Sequence, residues 1–122
     1  MDNDKYEVGL QRMRELMGDR ADLVVEKLKK ISPDFARYTV EFPYGEIGNR
    51  KIFSNKEREM AIVACLIARG NTGSPLRSHL TAMLKVGWTK EEVIELILLL
   101  TVYAGFPAAV DAINVFSEII ES

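Results

Sequence analysis

The chain has 122 residues, 48% of them hydrophobic, and a net charge of −2 from 16 Lys plus Arg against 18 Asp plus Glu, the size and balance of one globular domain with a substantial core. The basic residues are scattered, which argues against a nucleic-acid partner, and the only cysteine, Cys65, excludes an intrachain disulfide, a CxxC pair and a multi-cysteine zinc site. The expected setting is reduced and cytoplasmic, since "MDNDKYEVGLQRM" lacks the order of a secretory signal and "LILLLTVYAGFPAAV" is too short, and too broken by Gly105 and Pro107, to be a membrane span.

Helical spacing dominates and no segment alternates as a strand would, so the predicted fold class is all-α, in a single domain over 1–122. Tyr6, Leu10, Met13 and Met17 recur at steps of four and three, and Gly18 supplies a helix end. Asp19 can cap a second helix with Leu23, Val24, Leu28 and Ile31 on one side. Ser32-Pro33 reads as the cap and first position of a third, which presents Phe35, Tyr38 and Phe42 inward and cannot run far past Pro43. "YGEIGNRKIF" is then a glycine-containing connection, the kind of segment in which function often sits.

After Ser54 or Asn55 as cap, the charged "KERE" leads into "MAIVACLIA", an apolar helix that must be covered on nearly every side. Ser74-Pro75 opens the next helix, Thr89 with Glu92 forms a capping box for a helix running to about Ala104, and Pro107 opens the last. On that last helix Asp111, Asn114, Glu118 and Glu121 form one narrow polar stripe. Apolar faces this broad on successive helices favour burial between subunits, so a homo-oligomer is expected.

His79, the single histidine, falls between Val86 and Met83 on the apolar side of its helix, whereas Arg77 falls near the other border of that face. Pattern alone reads it as a half-buried core histidine satisfied by a backbone carbonyl. Glu59 shares a side with Ile62, Val63 and Leu66, an unusual direction for a carboxylate, although favourable charge near a helix start explains it too. Glu46 reads as a solvated loop acid, Tyr103 as core, and Cys65 as an inert buried thiol. Arg50, Arg58 and Arg77 can each bind a carboxylate, a role to weigh against plain surface charge. No phosphate loop, metal-ligand cluster or Ser-His-Asp order is present in the sequence.

From about Tyr44 onward the sequence resembles the carboxymuconolactone decarboxylase family, in the wider group that includes the alkylhydroperoxidase D proteins. The resemblance rests on "YGEI" followed by Arg50, on "REMAIVACLIA", and on Arg77-x-His79-Leu80, the Gly87-x-Thr89 junction, "EEVIE" and Tyr103-Ala104-Gly105-x-Pro107-Ala108-Ala109. It implies an alkylhydroperoxidase D-like bundle of about six to seven helices assembled as a trimer or hexamer. It also implies removal of CO2 from 4-carboxymuconolactone in aromatic catabolism, with no metal or organic cofactor. On this pattern His79, Glu46 and Glu59 are the candidate catalytic residues, with His79 expected to line a pocket beside Glu46 or Glu59 instead of merely filling the core, and Arg50, Arg58, Arg77 and Tyr103 are the candidate substrate-binding residues.

The sequence departs from that pattern at three places. Gly48 stands where typical decarboxylases read "GEIW", Pro75 stands where an acidic residue commonly precedes Arg-x-His, and Glu59 stands where they often carry a small polar residue. Glu59 is similar to the upstream glutamate of the peroxidase branch, but that branch's Cys-x-x-Cys positions are Thr72 and Pro75 here. The alternatives are therefore a thiol-dependent oxidoreductase or peroxidase that uses Cys65 with an external thiol, and a non-catalytic oligomeric protein that binds small molecules.

Overall fold

The computed structural model describes residues 2–122, and seven α-helices and two tighter or wider helical turns account for all regular structure in them. They are α1 (Asp2–Met17), α2 (Arg20–Ile31), α3 (Pro33–Val40), a π-helical turn (Glu41–Glu46), a 3-10 turn (Ile47–Asn49), α4 (Asn55–Ala68), α5 (Ser74–Lys85), α6 (Lys90–Tyr103) and α7 (Phe106–Glu121). None of these helices is long and apolar enough to cross a membrane. The chain divides into two compact units, one ending at Ile52 and the other running from Phe53 to Ser122.

In the first unit α1 packs against α2, α3 and the π-helical turn around a small core of Met13, Ala21, Val25 and Val40, flanked by Tyr6, Leu10 and Met17. The periodicity of α1 is thus the one its sequence predicts. Gly18, at φ 63°, ends it in the left-handed conformation that a side chain disfavours, and its N–H donates to Arg14 O at 2.8 Å. Asp19 occupies the cap position of α2 without making the cap bond expected of it; α1 and α2 are tied instead by the Arg14 guanidinium, which donates to both carboxylate oxygens of Asp22 at 3.2 and 2.8 Å.

The inner faces of α2 and α3 are also not the expected ones. Ala21, Val25, Ala36 and Val40 are buried, whereas Leu23, Ile31, Phe35, Tyr38 and Phe42 are exposed. Small side chains let these short helices approach their neighbours closely, and the large ones are turned outward. Ser32 does cap α3, accepting from Phe35 N at 3.1 Å, with Pro33 in the first turn. Helical structure then continues past Pro43 to Asn49, beyond the break expected there, because the chain widens into a π-helical turn that accommodates a proline ring. That turn lies against α1 through two glycines. A Cβ on Gly45 would collide with Lys5 O, and one on Gly9 with Val40 O, so the backbones meet where no side chain intervenes.

The second unit is built from α4 to α7, with α4 against α5 and α6, and α7 against α5 and α6. Its core holds Ile67, Leu76, Leu80, Met83, Ile97 and the fully buried Phe116, each large apolar side chain contributing about 2 kcal/mol by its removal from water. Trp88 closes the α5–α6 connection by donating Nε1–H to Lys56 O at 2.8 Å, with Lys56 Nζ 4.5 Å from the ring centroid.

Two reciprocal capping boxes start α4 and α6. Ser54 Oγ accepts from Glu57 N at 3.1 Å while Ser54 N donates to Glu57 Oε1 at 2.8 Å, and Thr89 with Glu92 repeats the arrangement at 3.1 and 2.9 Å. The backbone N–H of each cap residue is the main cause that holds the Glu57 and Glu92 carboxyls below the ordinary glutamate range. A carboxyl depressed in the folded state stabilises fully above its unfolded pKa, and the contribution is lost as pH falls through the folded value. The double variant Glu57→Gln/Glu92→Gln, a neutral mimic of the protonated caps, is expected to melt below wild type at pH 7. The gap should close below about pH 4. Thermal melts followed by circular dichroism at pH 7, 5 and 3 check this, and a gap independent of pH would rule it out.

Candidate active site

Ser54 and its capping box set the start of α4, and five positions on, Glu59 lies one turn before the fully buried Val63 on the inward face. Its side chain is 5% exposed, the only buried charged residue among those described. A carboxylate so placed requires a partner. On α5 the buried positions Leu76, Leu80 and Met83 set the inward face, and His79 lies at its edge with a side chain 19% exposed. His79 Nδ1 and Glu59 Oε1 are 2.7 Å apart, a short hydrogen bond between two adjacent helices.

This pairing replaces the backbone-carbonyl partner that pattern alone suggests for His79. With Glu59 as carboxylate, Nδ1–H donates to it, which directs the lone pair of the neutral ring to Nε2. When the ring gains a second proton, that proton is carried on Nε2 and its charge faces Glu59. A pair in this arrangement can carry a proton on one nitrogen, with the ring held in orientation from behind.

The other candidates are distributed differently. Arg77, two residues before His79, donates from Nη2 to Glu118 Oε1 on α7 at 3.0 Å. That partner was visible in the sequence only as one acid of the polar stripe of α7. Arg58 is half-buried on α4, directly before Glu59. Tyr103 ends α6 with 79% of its surface exposed, so it is not the core residue its surroundings in sequence suggest. Cys65 is also exposed, contrary to the expected buried thiol, because the apolar run of α4 has no polar residue to mark the side left open. Glu46 and Arg50 belong to the first unit. There Glu46 closes the π-helical turn and accepts from Lys5 Nζ at 2.6 Å, so it is an exposed, paired acid on a helical turn and not in a loop. Among the described residues no group of three or more His, Cys, Asp or Glu comes together in a way that could hold a metal ion.

The sequence pattern of the carboxymuconolactone decarboxylase family matches residues 33–118. The chain belongs to the carboxymuconolactone decarboxylase family. A 4-carboxymuconolactone decarboxylase from Acinetobacter baylyi is 33% identical over 119 residues, which cover 97% of this chain and 88% of that protein. Within the stretch that the carboxymuconolactone decarboxylase family shares lie both members of the Glu59–His79 pair, together with Glu46, Arg50, Arg58, Arg77 and Tyr103.

Proposed function

We propose that this protein is a carboxy-lyase that decarboxylates a small carboxylated lactone of the 4-carboxymuconolactone type, with His79 as the group that returns the proton. The observation that carries the reading is the buried Glu59 bound to His79 at 2.7 Å. The name of the Acinetobacter baylyi relative supports the substrate class.

In such a lactone the departing carboxylate sits on the ring carbon that bears the ring oxygen, across a double bond from the lactone carbonyl. As CO2 leaves, the electron pair of the broken C–C bond moves through the double bond onto the carbonyl oxygen, giving a dienolate. A proton then adds at the carbon next to the carbonyl, and the double bond settles on the ring carbon that lost CO2. Acceleration requires cations for the carboxylates, a donor at the developing oxyanion and an acid at the carbon. Imidazolium Nε2–H of His79 supplies the acid, and Glu59 supports its charge. Arg58 and Arg77, on the helices that carry the pair, are the carboxylate-binding candidates and Tyr103 the hydroxyl for the lactone oxygen; Arg50 and Glu46, in the first unit, are proposed from the family pattern alone. Arg77 binds a carboxylate by exchanging its Glu118 partner for the substrate.

The reading includes a homo-oligomer, trimer or hexamer. Leu98, Val102, Tyr103 and Phe106 are 57%, 74%, 79% and 67% exposed in the single chain, and an apolar groove between α6 and α7 is lined by Leu98, Phe106, Val110 and Ile113. Surfaces of this kind are covered in stable assemblies.

Purified protein given 4-carboxymuconolactone is expected to release CO2 with loss of the substrate's absorbance, and to elute as a trimer or hexamer by light scattering. His79→Ala should lose at least about 100-fold in kcat. Cys65→Ser should keep wild-type turnover, whereas a thiol mechanism requires Cys65 and would lose all activity with it. No turnover above the His79→Ala control would remove this substrate, and stabilisation by carboxylated lactones without turnover would leave a binding protein in its place.

A further inference from the structure

We propose a second activity for the same pair: exchange of one hydrogen of the decarboxylated enol-lactone with solvent, with no CO2 gained or lost. The inference rests on the decarboxylase reading, since it uses the same product and the same nitrogen.

When the proton has been delivered, His79 is a neutral ring whose Nδ1–H stays on Glu59 Oε1 at 2.7 Å. Its Nε2 lone pair is left beside the C–H bond just formed. That carbon lies between the lactone carbonyl and the ring double bond, so it bears the most acidic C–H of the product, and loss of its proton regenerates the dienolate. In the reverse step the C–H electron pair moves into the ring and onto the lactone oxygen, and the proton passes to Nε2. The imidazolium that results faces the Glu59 carboxylate, which is 5% exposed and keeps its place. The His79 side chain is 19% exposed, and the exchange requires that Nε2–H trade its hydrogen with water. A deuteron then returns to the same carbon as the dienolate electrons re-form the C–D bond. Product and D2O become monodeuterated product and HOD, and no other reactant enters.

The count follows if the product is seated in one orientation. The ring is held from Nδ1, so with the product so seated Nε2 addresses one face of the planar dienolate and exchanges one of the two hydrogens. Hydroxide or buffer in free solution has no such preference and exchanges both.

The test is to incubate unlabelled enol-lactone with wild-type protein in D2O and to follow it by proton NMR and mass spectrometry, alongside CO2 release from 4-carboxymuconolactone by the same preparation. Uptake of a single deuterium at least about tenfold faster than in buffer is expected, falling to the buffer rate in His79→Ala and slowed in Glu59→Gln, with helicity of each variant checked by circular dichroism. If CO2 is released while the product keeps both hydrogens, or exchanges both at equal rates, this proposal is overturned and the decarboxylase reading stands. If neither CO2 release nor exchange occurs, both fall together.

Discussion

Glu59→Gln is expected to reduce decarboxylation by about 10²–10⁴-fold while costing only about 1 kcal/mol of stability. Glutamine keeps the volume and reach of glutamate, so the α4 face around Val63 remains filled and a hydrogen bond to His79 Nδ1 is still available. Two properties are lost. The amide is neutral and no longer offsets an imidazolium, and its NH2 can donate to Nδ1, which leaves Nε2 with the hydrogen of a neutral ring, a far weaker acid than the imidazolium that Glu59 supports. Because Glu59 acts through His79, a readout at the ring itself is needed. Nitrogen NMR of the single imidazole should give a wild-type ring protonated at Nδ1 and bare at Nε2, and a mixed or reversed population in the variant. A core histidine predicts the opposite division of effects, with stability lowered, imidazole signals altered and turnover intact. That result would remove His79 from the chemistry.

The features of the second unit that could be read from sequence were those decided within a few residues. The Thr89–Glu92 box, the Ser54 cap and the proline starts of α5 and α7 depend on local hydrogen bonds or a fixed φ, and all are formed, although Gly73 and not Ser74 takes the cap position of α5. The inward direction of Glu59 and His79 was legible for the same reason, since each follows from the phase of its own helix. Which glutamate, Glu46 or Glu59, partners His79 was not. The partnership joins residues 20 apart on different helices, and nothing in either local pattern specifies the register in which α4 meets α5.

The first unit shows the limit of apolar periodicity. On α2 and α3 large apolar residues form one stripe and small ones another, and the close crossing selected the stripe of Ala21, Val25, Ala36 and Val40. Size at the contact decided the inner face, and a hydrophobic count does not register size. The same blindness applies to α4, where an all-apolar run gave no sign that Cys65 would be exposed.

Gly48→Trp, which installs the residue that typical decarboxylases carry at this place, is expected to destabilise the protein by about 3 kcal/mol or more. In the sequence Gly48 is a departure from "GEIW" that says nothing of the space around it. In the structure a Cβ on Gly48 would stand 2.6 Å from Pro43 O, a backbone atom that cannot rotate away, and 3.4 Å from Arg12 Nε. The cause is the π-helical turn: its wider winding carries Pro43 O toward the 3-10 turn that holds Gly48. Any side chain therefore forces the Glu41–Asn49 backbone to move, and with it the turn that presents Glu46 to Lys5. Gly48→Ala alone should cost about 1–3 kcal/mol, because the clash begins at Cβ. Gly73→Ala is the control, as the nearest atom to its Cβ would be 3.7 Å away, and a change within about 0.5 kcal/mol is expected there. Urea midpoints at constant slope measure all three. A Gly48→Trp protein as stable as wild type would mean that the backbone at this turn adopts the tryptophan-bearing path without strain, and the glycine would then be a matter of pocket shape alone.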